Sequence, residues 1–280
     1  MKTIILIVAF LFVATIHAQD FQGKAIYKTS EKSNISFGGE KEGISEKMQE
    51  EFRKRMQKMN QKTFILEFDK STSIYKEEVQ LKAPKRQAGS KSFRVISIGG
   101  AGNGSIYYKN TQDRRFVNQT EIQGKRFLVK DTLPVYAWEL SSETKNIGTY
   151  TCYKATYTKE VEHKNIRMKD GETIEEKKKE TVVTTAWYTP QVSVSNGPGN
   201  YQGLPGLILE INDGKKTIVC TEIVLNPSEK ITIKEPEKGK VVSLKTFTEI
   251  QEKKTQEMLE KMKSRNGMDL GNGVKIKMGG

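Results

Sequence analysis

The chain is poor in the residues that most often carry chemistry. Its 280 residues include 2 histidines, 2 cysteines, 2 tryptophans and 7 prolines. His17 lies in the apolar leader described below, so a processed chain would keep only His163. One imidazole cannot build a histidine-based zinc site, and any Ser-His-acid triad would have to use His163. There is no Gly-x-Ser-x-Gly, and a cysteine nucleophile would need that same histidine or another activating base. Paired carboxylates leave no local signature, so carboxylate chemistry stays open. The reading is of a non-catalytic protein with no cofactor and no metal site.

Long hydrophobic runs are also scarce. The one present is Ile4 to Ile16, preceded by Lys2 and followed by Ala18, the plan of an export signal cut after residue 18. Nothing after Gln19 approaches the roughly 18 to 20 apolar residues of a spanning helix. No cysteine follows the leader to carry a lipid anchor. The expectation is an exported chain in the periplasm or cell envelope, or secreted, with no transmembrane segment in its mature part. Cys152 and Cys220 lie in strand-like stretches, and in an oxidising compartment they would either pair, adding about 2 to 4 kcal/mol, or stay as two buried free thiols.

The charge balance is basic, with 47 Lys and Arg against 34 Asp and Glu and a net charge of +13. Those charges are interleaved, as in Glu175 to Glu180, and are not gathered on one face with aromatics between them. Nucleic acid is therefore not an expected partner. Attraction to an anionic surface remains compatible with the composition.

Alternating apolar and polar positions predict strands over 21–27, 63–68, 72–81, 93–98, 105–108, 115–118, 126–130, 149–158 and 182–188. Two helices are expected. Ile44, Met48, Phe52, Met56 and Met59 recur at helical spacing within 43–61. A capping box from Thr246 to Glu249 opens a second helix that carries Phe247, Ile250, Met258, Leu259 and Met262 toward the core and stops at Asn266 and Gly267. The methionines are soft donors suited to Cu(I), but at helical spacing among Ile and Phe they read as core. The glycines from 99 to 104 read as a hairpin turn rather than a phosphate loop, because no Gly-Lys-Ser/Thr follows. Lys164 to Glu180 reads as a charged excursion between two strands. The expected fold is mostly β (α+β): a curved antiparallel sheet or half-barrel, with one amphipathic helix near the N-terminus and one at the C-terminus. After the 1–18 signal, residues 19–266 form one domain and 267–280 a flexible Gly-rich tail.

Residues 197–206 hold four glycines and two prolines, which no regular element tolerates. Leu204 to Leu207 has Pro205 then Gly206 at its centre, the chemistry of a type II turn, with Gly203 before it. The turn leads into a strand with Leu207, Leu209 and Ile211 on one face and Ile208 and Glu210 on the other. Asn212, Asp213 and Gly214 then reverse the chain toward Thr217 to Leu225.

Gly203 to Ile208 spells Gly-Leu-Pro-Gly-Leu-Ile, and this segment resembles the GLPGLI family of exported Bacteroidetes proteins. Trp187 to Pro190, Gly197 with Pro198, and Leu209 to Ile211 are similar to the same family. So are Gly124 to Leu128, Trp138 to Leu140, Glu143 to Lys145, Ile147 with Gly148, and Cys152 to Ala155, although Thr149 stands where another glycine is expected. The resemblance implies an exported envelope protein from a family without an established activity, and supplies no catalytic residues. Two functions are then expected. One is a half-barrel carrier for an apolar ligand or lipid, lined or gated by Trp187, Tyr201 and Leu204, of which Trp187 and Leu204 would otherwise close a solid core. The other is a docking module for an outer-membrane protein partner, with no ligand cavity.

Overall fold

The computed structural model describes residues 21–31, 61–78, 104–169, 172–264, 268–269 and 275–276. The first helix expected over 43–61, the strand over 93–98, most of the glycine run and the leader lie outside the described residues.

Among the described residues, twelve strands form one sheet. In chain order they are β1 (Gln22–Glu31), β2 (Lys62–Asp69), β3 (Thr72–Glu77), β4 (Ile106–Asn110), β5 (Arg115–Ile122), β6 (Lys125–Thr132), β7 (Glu139–Ile147), β8 (Tyr150–Lys169), β9 (Glu172–Thr189), β10 (Leu207–Asn212), β11 (Lys216–Leu225) and β12 (Lys240–Val242). Their order across the sheet is β12-β6-β5-β4-β3-β2-β1-β11-β10-β9-β8-β7. Every neighbouring pair is antiparallel except β12 on β6, so the sheet is mixed and open. Helix α1 (Leu244–Ser264) follows β12, and a small ribbon, β13 (Met268–Asp269) with β14 (Lys275–Ile276), lies within the 267–280 tail.

Alternation decides which side chains point where. On β1 and β2, Ala25, Tyr27, Phe64, Leu66 and Phe68 face the main core at every second position. Both faces are covered at β5 and β6. There Phe116, Phe127 and Val129 pack under Phe247 and Ile250 of α1, while Val117 and Leu128 on the reverse side meet Ile233 of the 226–239 connection. Tight hairpins join β5 to β6 through Gln123 and Gly124, both at positive φ.

The helix starts three residues before the expected cap. Ser243 is the capping residue: its Oγ accepts from the Thr246 amide at 3.2 Å, and Asp131 on β6 accepts from the Leu244 amide at 3.0 Å. Ser243 thus takes the capping role expected of Thr246.

The charged stretch expected as an excursion is strand over its described residues, up to Lys169 and again from Glu172. Pairing of β8 with β9 runs on from Tyr157↔Thr184 to Lys169↔Glu172, past the point where β7 and β10 end. The result is a two-stranded ribbon projecting from the sheet. Its sequence, rich in Lys and Glu, carries no period-two apolar pattern to mark it as strand.

The turn at Pro205 also differs from expectation. The Gly206 amide donates to the Leu204 carbonyl at 2.8 Å, a three-residue γ-type closure, and the Leu207 amide turns away to the Val192 carbonyl at 3.1 Å. Glycine is required at 206 because φ is +156° and a Cβ there would stand 2.2 Å from the Thr189 carbonyl oxygen. Past the turn, Leu209 is an extra residue relative to β9, between Ile208↔Tyr188 and Glu210↔Trp187. That irregularity explains why Leu207, Ile208, Leu209 and Ile211 are all buried instead of alternating.

Candidate functional site

The connection from β9 to β10 folds back across one face of the sheet. Val192, Val194 and Asn196 alternate inward and are buried, Leu204 is 1% exposed, and the Ile208 amide donates to the Asn196 carbonyl at 2.9 Å. This segment is tied to distant strands by polar contacts. Ser73 on β3 donates to the Asn196 side chain at 3.3 Å, and Lys109 on β4 donates to the carbonyls of Gly197 at 2.7 Å and Tyr201 at 3.0 Å. Trp138 donates to the Gln202 carbonyl at 2.9 Å, and Gln202 donates to the Pro134 carbonyl at 2.8 Å.

Lys109 is 0% exposed and meets carbonyl oxygens, not a carboxylate. Burial alone pulls its ammonium down to about 7. It acts as a clamp between sheet and loop.

Beside this clamp the face stays open. A groove of about 770 Å³ runs between the β2–β5 region, the 132–135 segment and residues 198–201. Its aromatic wall is a ladder on four adjacent strands. Phe64 and Tyr75 stack with centroids 4.9 Å apart and planes within 3°, and Tyr107 and Phe116 stack at 5.1 Å and 12°. Tyr75 and Tyr107 are direct register partners, so the two stacks adjoin. Opposite them, Tyr201 stacks on Tyr136 at 5.6 Å, and Tyr136 meets Trp138 and Tyr157. Burial raises the phenols of Tyr107 and Tyr136, and raises Tyr201 to about 12 with help from the nearby Asp213 charge.

The residues expected at the site separate here. Tyr201 lines the groove. Leu204 is in the main core, and Trp187 is half-buried with the Lys145 ammonium 4.4 Å from its ring centroid, while Lys145 also pairs with Glu210 at 2.7 Å. Neither Trp187 nor Leu204 reaches the groove lining. Cys152 and Cys220 are buried free thiols on β8 and β11, with β9 and β10 between them, and burial raises them to about 11 and about 12. Such thiols are poor nucleophiles at neutral pH. Among the described residues no group of three or more His, Cys, Asp or Glu is placed to hold a metal ion. No helix among the described residues is long and apolar enough to cross a membrane.

The segment that builds the loop, its clamp acceptors and β10 is also the segment with a sequence match. Residues 138–210 match the family described as "Protein of unknown function (Porph_ging)". No curated protein matches the chain. Two solved structures, of PNGF-II in C2 and in P21 space groups, are similar to it at 12% identity with a TM-score of 0.46, each covering 83% of this chain. The chain spans 33% of those proteins' length, and a likeness at that TM-score carries no argument. The groove's ladder of Phe64, Tyr75, Tyr107 and Phe116 lies outside the matched segment, whereas Tyr201 lies within it. Sequence reasoning missed the ladder because its rings come from four separate strands, each of which reads locally as ordinary alternating core.

Proposed function

We infer that the protein is a non-catalytic, exported binding protein of the cell envelope that holds an apolar molecule in the aromatic groove. The observation that carries this reading is the groove itself: about 770 Å³ with stacked rings along one wall, within the size range of small-molecule sites. The absence of a nucleophile paired with a base in the sequence, and the raised thiols, support a binding role over catalysis. The GLPGLI resemblance supports the envelope location and adds no chemistry. The site sits beside the loop that the motif builds, and differs from the expected carrier in using Tyr201 but not Trp187 or Leu204.

Native mass spectrometry with organic extraction, on protein purified gently from its own host, tests the reading. A co-purifying apolar molecule of defined mass is the expected result. A clean apo mass, together with failure to take up any neutral apolar probe, would sink it.

The projecting β8–β9 ribbon favours a second reading, the docking module. Its outer edges carry backbone groups that neither β7 nor β10 pairs, the kind of edge that an extended partner strand joins. Cross-linking from the ribbon to an outer-membrane protein would support it.

A further inference from the structure

We propose that the groove selects a ring-bearing apolar molecule without negative charge, and discriminates against anionic acyl lipids; this rests on the binding role inferred above. The charge of the lining runs against that of the chain. Overall the chain carries +13, yet the described groove lining presents two carboxylates, Asp131 and Asp213, and one ammonium, Lys216. Lys216 itself lies 3.8 Å from the Glu31 carboxylate, so its charge is shared with a third acid just outside. Asp131 is held in its ionised form by the amides of Leu244 at 3.0 Å and Thr132 at 2.8 Å. Asp213 accepts from the amides of Lys215 at 3.0 Å and Lys216 at 2.7 Å through one oxygen. The nearest buried cation, Lys109, directs its hydrogen bonds to Gly197 and Tyr201 carbonyls behind the loop.

The ring ladder bears on shape, and the charge bias rests on the carboxylates. Phe64 with Tyr75 and Tyr107 with Phe116 stack in parallel on adjacent strands, an arrangement that a further flat ring can extend. A fatty acid or an anionic phospholipid would bring its charge against two carboxylates with one shared ammonium in return.

Two fluorescent probes isolate the charge. N-phenyl-1-naphthylamine is neutral, and 8-anilinonaphthalene-1-sulfonate has the same ring body with an added sulfonate. Titrated into the whole chain at about 0.15 M salt, where surface attraction by the basic chain is largely screened, the neutral probe should saturate one site. The sulfonate should bind about fivefold more weakly or worse, the scale of one or two unit charges at the edge of a protein. Asp213→Asn keeps the accepting oxygen and removes the charge, so it should narrow the gap about two- to threefold at unchanged melting temperature. Tyr201→Leu should weaken the neutral probe several-fold, as should Tyr107→Leu if that variant folds. Equal or tighter binding of the sulfonate, with the neutral probe still saturating, would overturn the charge selectivity and leave the binding role standing. Saturation of neither probe would overturn the binding role itself. Neutral-probe affinity unmoved by Tyr201→Leu would place the site elsewhere and refute this assignment.

Discussion

At the β9–β10 end of the sheet the chain folds back and covers its own face with Val192, Val194 and Leu204, whereas at the β2–β5 end four aromatic rings border a groove that the same loop only flanks. The filled end is fastened by close approach: a Cβ at Gly206 would meet the Thr189 carbonyl, and one at Gly197 would stand 2.8 Å from Ile208. The open end has room at its rim, for a Cβ on Gly199 meets nothing within 4 Å. One loop thus serves as core on one side and as wall on the other. Packing tolerance should change sharply along a few residues of the same segment.

The strongest test of that contrast is Gly206→Val, expected to cost about 4 kcal/mol or to prevent folding, because backbone must move before the side chain fits. Urea unfolding reads it, and a wild-type midpoint would refute the close approach. Leu204→Ala should follow at about 3 kcal/mol from the buried cavity it leaves, with neutral-probe binding to any folded fraction retained. Lys109 gives a pH signature. Its folded pKa lies below the ordinary lysine value, so above about 7 the unfolded chain binds more protons at this site and stability rises with pH. The rise should total about 2 kcal/mol by about pH 8.5, and it should vanish in Lys109→Met. Beyond that, Cys152 and Cys220, raised to about 11 and about 12, keep protons that the unfolded chain has lost and stability falls, and above about pH 10 the raised phenols of Tyr27, Tyr75 and Tyr107 steepen the fall. Gly199→Ala, at φ +58° but in open space, should cost only about 1 kcal/mol. Smallest of all, Val135→Ser on the groove rim, 90% exposed, should change stability by less than about 0.5 kcal/mol.

Much of the sheet was legible because its strands are half-buried and alternate: 62–69, 115–122 and 216–225 enclose runs read from the sequence, and 22–31 overlaps the expected 21–27. The hairpin at Asn212 to Gly214 was legible through turn chemistry, and Asp213 does bind the following amides. Three features were not. The ribbon of β8 and β9 carries no apolar stripe to announce it. The turn at Pro205 looked like a type II turn in four residues, but its hydrogen bonds are set by Val192 and Thr189, which a local window does not contain. The helix cap fell to Ser243 because Asp131, from another strand, satisfies the first helical amide. The groove was least legible of all. Trp187 and Leu204 stand near the motif in sequence, yet the lining is drawn from strands brought together by sheet order.

The position of β1 has a consequence for the timing of assembly. It lies mid-sheet, paired to β2 on one side and to β11 on the other, and the Gln22 amide bonds to Asn226 across 204 positions of sequence. The sheet cannot close until almost the whole chain is present, since its central ladder joins the first described strand to one of the last. Loop closure over that distance is slow relative to local pairing. For the exported chain proposed above, late closure would keep the polypeptide threadable until translocation is nearly complete.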